Sequence, residues 1–446
     1  MAEPSISTRS NNAFLLLCLA LVGAASILYY HQGLLIPRAL EVRAARNIGG
    51  YAFGNDFYQI WVTSRAWLRQ RRDPYSPEMT REIQTGLYGR PLDPRIPSDP
   101  IDRRLFPYPA FTDLLFWPAA ELPFTVARVA FACLLAALTA ASVFCWMAAL
   151  GWRPSWPWVA VILLLALCNY PVLEGVYAGQ VGLLVGFLLS AAILALQRDK
   201  LLPCGVLIAV TAIKPQVTVL GIFYLLVWSM HDWRRRGRFW VGFLAILLLL
   251  IGGSLVVWPR WISSWVHVIV EYRGYNPPPP MTGFLQLLLR PGLAAPISLA
   301  VTIGLLVAAA LLAWRNRAAA ADSPEFWFTL TLLLGITTIA VLPGQAVYDH
   351  MILLPGALLL ASRWRRLSAQ WPLRSLLAIG TVTLLWPWVT SFVVIVLRPL
   401  LTRQQFYSRP IFYLPLDMAS VFPFIVLAAL TLAARGQNAS GGVSRV

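Results

Sequence analysis

Apolar runs of about 18 residues, enough to cross a bilayer core as a helix, recur along most of the chain. They lie at residues 14–30, 126–150, 239–258, 297–314, 326–342, 376–397 and 411–433, with shorter, equally dense runs at 158–168 and 181–196. Polar residues fall mainly in the breaks between runs. The pattern predicts an all-α polytopic membrane protein, a single integral membrane domain over 1–446, with roughly 10–13 transmembrane helices.

Two runs do not read as simple spans. Residues 109–122 are interrupted by Pro118 and followed at once by Pro123, and residues 202–228 are cut at Lys214-Pro215. Proline removes a backbone donor, and an ammonium at membrane depth is costly. Broken helices of this kind need protein or a watery cavity beside them. Counting every run as a full crossing would also put Arg198 and Lys200 on the wrong side of the membrane. One run between Pro107 and Gln197 is therefore expected to insert only partway, and 109–122 is the choice. The Lys214 segment is expected to go in and return.

Composition supports the membrane reading: 58% of residues are hydrophobic and 12% charged, against about a quarter charged in soluble domains. The net charge of +17 does not point to nucleic acid. Its basic residues form short clusters between apolar runs: Arg198/Lys200, Arg234–Arg238, Arg315/Arg317, Arg363–Arg366 with Arg374, and Arg435. That is the bias of cytoplasmic loops, where the clusters also meet anionic lipid headgroups. The five cysteines all lie in apolar segments without metal spacing and read as small core residues. Residues 14–26 have a signal-peptide-like core, but with only Arg9 before them and many spans after, an uncleaved first helix is expected.

With the basic clusters inside, residues 31–107 form a large external loop and 435–446 a polar cytoplasmic tail. Within that loop, residues 56–71 place Phe57, Ile60, Trp61, Ser64, Trp67 and Leu68 on one side at helical spacing. This predicts an amphipathic helix in the membrane interface. The second half of the loop, rich in Pro and Gly, is expected to be irregular. Further external loops are expected at 170–180, 258–282, 343–350 and 398–410.

The candidate chemistry gathers on that external side. Asp56 opens the interfacial helix, where a carboxylate can act as general base towards a hydroxyl or simply cap the helix. Lys214 suits a phosphate, or snorkels to the interface. Asp349-His350 opens a late apolar run, and His350 can hydrogen-bond a phosphate or sugar or stand solvated. Gln180 suits sugar or phosphate hydrogen bonding, or interhelical packing, and Gly179 permits close backbone approach; Glu174 falls on the same face. Arg103, Arg104, Arg273, Arg398 and Arg403 can grip a lipid phosphate or contact headgroups, and Tyr108 in FPYPA can pack on a sugar or anchor the interface. There is no GxxxxGK[ST], no DxD pair and no HExxH. A phosphate donor would therefore be lipid-borne and metal-free, and no cofactor is expected.

At these residues the chain resembles the membrane mannosyltransferases of glycosyltransferase family 87. The matching stretches are DFYQIWVTSRAWLRQRRDPYSP at 56–77, LFPYPAFTDLLFWPAAELP at 105–123, GQVGLLVGFLLSAAIL at 179–194, GVLIAVTAIKPQ at 205–216 and YDHMILLP at 348–355. The resemblance implies a GT-C-like bundle in the plasma (inner) membrane and a polyprenyl-phosphate sugar donor, often mannose. It further implies transfer, with inversion, to a lipid or glycan acceptor, with Asp56 as base. Lys214, His350 or an arginine would meet the departing phosphate, with Gln180, Asp349, Arg104 and Tyr108 around the donor. Two rival readings are a transporter or flippase of lipid-linked sugars and a non-catalytic scaffold subunit. A transporter should show internal two-fold similarity, and none is visible.

Overall fold

The computed structural model describes residues 6–93, 95–408 and 410–441, and every regular element among them is a helix. Helix α1 (Ile6–Tyr29) runs through a π-helical turn, Tyr30–Leu35, into α2 (Ile36–Ala45). Then come α3 (Asn55–Gln70), α4 (Pro77–Tyr88), α5 (Phe111–Ala120), α6 (Phe124–Ala149), α7 (Trp156–Leu167), α8 (Tyr170–Ala178) and α9 (Val181–Gln197). The middle of the chain holds α10 (Leu201–Val210), α11 (Pro215–His231), α12 (Trp233–Val257), α13 (Trp261–Tyr275) and α14 (Pro280–Leu288). After α15 (Pro291–Arg315) and α16 (Pro324–Ala340), a 3-10 turn at Val347–Leu353 leads into α17 (Leu354–Ser362). The short α18 (Trp364–Leu367), then α19 (Trp371–Leu397), the short α20 (Arg403–Phe406) and α21 (Phe422–Gly441) complete the chain.

The chain is a multi-pass membrane protein, but its crossings are not uniform. Among the described residues five helical stretches are long and apolar enough to span alone: Ala13–Ala45, Phe124–Ala149, Trp233–Val257, Gly292–Arg315 and Trp371–Leu400. Helices α7 and α8 form a pair bent by 54°, and further apolar helices are shorter than a bilayer core. Helix α16 is buried at every position from Phe326 to Ala340. Being apolar all round, it has no outward face to offer, so it sits at the centre of the bundle. Gly205 of α10 and Gly242 of α12 lie where a Cβ would collide with the partner helix's backbone. Small residues at a crossing let two membrane helices meet backbone to backbone.

Both irregular runs are broken as helices. Helix α5 has only ten residues, about 15 Å, and packs on α3. At Lys214, α10 ends in a 3-10 turn and α11 begins with Pro215 at its first position, where the missing N–H costs nothing. The segment folds back on itself as a hairpin. Gln197 Nε2 donates to Ala321 O at 2.6 Å and Trp228 Nε1 to Ala319 O at 2.8 Å, so both flanks of the hairpin end beside one loop. Arg236 donates to Arg317 O at 3.1 Å there, which gathers three basic loops at the same end.

Several expectations need correction. The loop at 31–107 begins later than expected, because α1 continues helical to Ala45. Its second half is not wholly irregular: α4 occupies Pro77–Tyr88, with Ser76 as N-cap accepting from Met79 N, Pro77 at the first position and Gly89 as C-cap. Those Pro and Gly residues punctuate a helix rather than prevent one. The stretches 170–180 and 258–282 contain α8 and α13, so they too are largely helical. The run 411–433 is helical only from Phe422, after turns around Pro415. Of the cysteines, Cys168 and Cys204 are buried but Cys133 is exposed. The tail expected at 435–446 is helical to Gly441, and its last five residues lie outside the described ones.

Candidate active site

Helix α3 forms where the amphipathic stripe predicts it, and the stripe is covered by protein. Phe57, Ile60, Ser64 and Trp67 are wholly buried, and so are Tyr58, Gln59, Val62, Thr63 and Ala66 around them. Phe57 stacks on Phe131 of α6 at 4.3 Å between ring centroids. Thr63 and Ser64 donate to Asp113 Oδ1 of α5 at 2.9 and 3.0 Å. Asp113, which the sequence gave no reason to single out, thereby pins α5 to the helix that carries Asp56.

The start of α3 is set by two glycines. Gly54 is its N-cap at φ +75°, and its N–H donates to Tyr177 O at 2.8 Å. Gly179, at φ +73°, ends α8, and a Cβ there would lie 2.6 Å from Phe57 Cβ. Only glycine tolerates both the left-handed backbone and that approach. The contact brings Gln180, the N-cap of α9, against the first turn of α3.

Asp56 does not cap α3. Its Oδ1 accepts from Arg104 Nη1 at 2.5 Å and its Oδ2 accepts from Gln180 Nε2. The carboxylate keeps 14% of its surface exposed. Gln180 Oε1 in turn accepts from Lys214 Nζ at 3.0 Å, and Lys214 Nζ donates to Asp349 Oδ1 at 2.7 Å. A continuous chain thus runs Arg104–Asp56–Gln180–Lys214–Asp349. Lys214 Nζ also lies 4.8 Å over the Tyr348 ring, within cation–π range.

Arg104 sits at φ +56°, an uncommon conformation for a side-chain-bearing residue. Its N–H donates to Asp102 Oδ1 at 2.9 Å, its Nε lies 2.9 Å from Asp102 Oδ2, and Tyr88 OH accepts from it at 3.2 Å. Burial alone would disfavour the guanidinium charge; the Asp102 and Asp56 carboxylates outweigh it and hold Arg104 firmly protonated.

These groups border a cavity of about 260 Å³ lined by Asn55, Asp56, Arg104, Tyr108, Gln180 and Tyr348, with Asp102, Glu174, Tyr272 and Gln345 among its other walls. The volume is just below the roughly 300–1,000 Å³ of drug-sized ligand sites, which suits a small carbohydrate ligand. Of the residues singled out from the sequence, Asp56, Arg104, Tyr108, Glu174 and Gln180 line the cavity. Lys214 and Asp349 stand one layer behind, paired to each other. His350 is buried in the same 3-10 turn and makes no hydrogen bond among the described residues. The outlying arginines Arg103, Arg398 and Arg403 bond Glu271, Tyr29 and Glu41 at the surface. Tyr272 lies on α13, in a stretch whose sequence reads as a loop, and nothing in its local sequence marks it.

The cavity lies at the N-terminal end of α9, and the basic loops at its C-terminal end beside Gln197. No curated protein and no solved structure matches the chain. The model of glycosyltransferase family 87 matches residues 106–343, a stretch that contains Tyr108, Gln180 and Lys214 and leaves Asp56, Arg104, Asp349 and His350 outside it. That match covers more than half of the 446 residues, and the chain belongs to glycosyltransferase family 87 as a multi-pass membrane glycosyltransferase.

Proposed function

We propose that this enzyme moves a sugar, mannose in the first instance, from a polyprenyl-phosphate donor to a lipid or glycan acceptor. The reading places a GT-C-type bundle in the plasma (inner) membrane with the cavity on the external face, as the basic clusters at the opposite end favour. One observation carries it: Asp56 is presented to a sugar-sized cavity by two side-chain donors, its oxygens not spent on capping a helix. Asp56 takes the proton of the acceptor hydroxyl while that oxygen bonds to the anomeric carbon. The bond from this carbon to the phosphate oxygen breaks on the opposite face, and its electron pair leaves with the polyprenyl phosphate, inverting the centre.

Negative charge grows on the departing phosphate, so fixed cations stabilise the transition state more than the ground state. Arg104 and Lys214 are those cations, and the reading needs no metal. Each already holds a carboxylate, Arg104 with Asp102 and Asp56, Lys214 with Asp349. An arriving phosphate therefore exchanges one anionic partner for another. Tyr108 and Gln180 contact the sugar, and Asp349 and His350 support the phosphate side from behind.

The test uses the full chain in proteoliposomes, radiolabelled polyprenyl-phosphate mannose as donor and octyl α-mannoside as acceptor. Asp56→Asn should lower transfer about 10²–10⁴-fold, the usual worth of a general base. Transfer within tenfold of wild type would falsify the assignment of Asp56. Dependence on a divalent metal after EDTA treatment would contradict the metal-free reading. A transporter would instead move the labelled donor across the bilayer without forming glycoside.

A further inference from the structure

Besides Asp56 and Asp102, a further carboxylate lines the cavity and is not used by the mechanism above. Glu174 of α8 is on the cavity wall with about a third of its side chain exposed, and its Oε2 lies 3.2 Å from Nε2 of His31, which is wholly buried. His31 belongs to the π-helical turn between α1 and α2. One extra residue in such a turn re-aims the side chains around it, and π turns recur at functional sites. Here the turn directs His31 across to α8, where its ring meets Tyr177 edge-on at 5.9 Å and Tyr170 at 6.4 Å.

The tautomer follows from the other ring nitrogen. Gln32 Nε2 lies 3.1 Å from His31 Nδ1; with the amide donating there, Nε2 carries the proton and donates to Glu174. His31 thus fixes one carboxylate oxygen. The other, Oε1, accepts no hydrogen bond among the described residues, and Glu174 borders the cavity.

We propose that Glu174, held in place by His31, is the subsite that binds the hydroxyls of the acceptor's sugar ring. Carboxylates accept strongly from sugar hydroxyls and repel phosphate, so an anionic ligand is excluded from this wall. The donor's ring, tied to its phosphate, belongs on the Arg104 and Lys214 side, which leaves Glu174 for the neutral ring. Its assignment to the acceptor rests on the transferase reading; its affinity for a neutral sugar does not.

The experiment has two arms. In the first, saturation-transfer NMR on the full chain in nanodiscs uses methyl α-mannoside and methyl α-glucoside as probes. Binding is expected in wild type and in Asp56→Asn, lost in Glu174→Ala and weakened in His31→Ala, with His31→Ala adding nothing in the Glu174→Ala background. Absence of glycoside binding in wild type, or undiminished binding in Glu174→Ala, overturns the proposal, whatever the activity of Asp56→Asn. In the second arm, Glu174→Gln should raise the KM for octyl α-mannoside at least tenfold, with kcat and the donor KM changed less than threefold. A fall in kcat with KM unchanged would make Glu174 part of the chemistry and sink the subsite. Unaltered melting of Glu174→Ala and Glu174→Gln separates loss of binding from loss of fold.

Discussion

Lys214 and Asp349 form a buried ion pair of 2.7 Å one residue removed from the Asp56 carboxylate, with Gln180 as the link. Both are almost wholly buried, and Asp349 Oδ2 has no partner among the described residues. Removing one member strands the other's charge away from water. Lys214→Met and Asp349→Leu should each cost about 3–5 kcal/mol. The double variant should recover most of that stability while transfer stays abolished. Thermal unfolding followed by tryptophan fluorescence reads the first; additive losses in the double variant would show that the pair is not coupled.

Gly179→Ala should act on geometry alone. The φ of +73° and the approach to Phe57 Cβ both oppose a methyl group, and each strained residue costs about 1–3 kcal/mol. The displaced Gln180 would no longer meet Asp56, and misplacement near 1 Å costs about a hundredfold in rate. Gly252→Ala is the control, since a Cβ there meets nothing within 4 Å. Equal activity in the two variants would refute a role for the glycine contact.

Gln180→Leu keeps the volume and deletes both hydrogen bonds of the link. Turnover should fall about 10–100-fold, in the range for losing one preorganised donor or somewhat below it. The melting temperature should drop by only a few degrees. Kinetics on a donor titration separate its two roles: a fall in kcat reads the positioning of Asp56, and a raised donor KM at constant kcat would leave Gln180 only its contact with the donor sugar.

Asp113→Ala should destabilise without touching the cavity. It leaves the Ser64 hydroxyl without its buried acceptor, while Thr63 keeps Gln59 O at 2.7 Å, and an unmet buried group costs about 1–3 kcal/mol. Residual activity at low temperature should approach wild type and be lost early on heating. An undiminished melting temperature would show that the α3–α5 pin carries no stability.

Hydropathy by itself determined that the chain is a polytopic helical membrane protein, because continuous apolar runs of that length cross lipid as helices, which satisfy their own backbone. Local chemistry also determined the broken helix at Lys214-Pro215 and the helix opening at Asp56, since proline and an amphipathic stripe act within a few residues. Helices α4, α8 and α13 escaped because Pro and Gly at helix ends read, in sequence, like loop residues. What only the tertiary structure decided is the company each polar group keeps. Asp56, Gln180, Lys214 and Asp349 lie far apart along the chain, and the approach of Gly179 to α3 is a long-range fit that no local pattern encodes. The same holds for His31 and Glu174, 143 residues apart: a lone histidine in an apolar helix acquires meaning only when another helix brings a carboxylate to it.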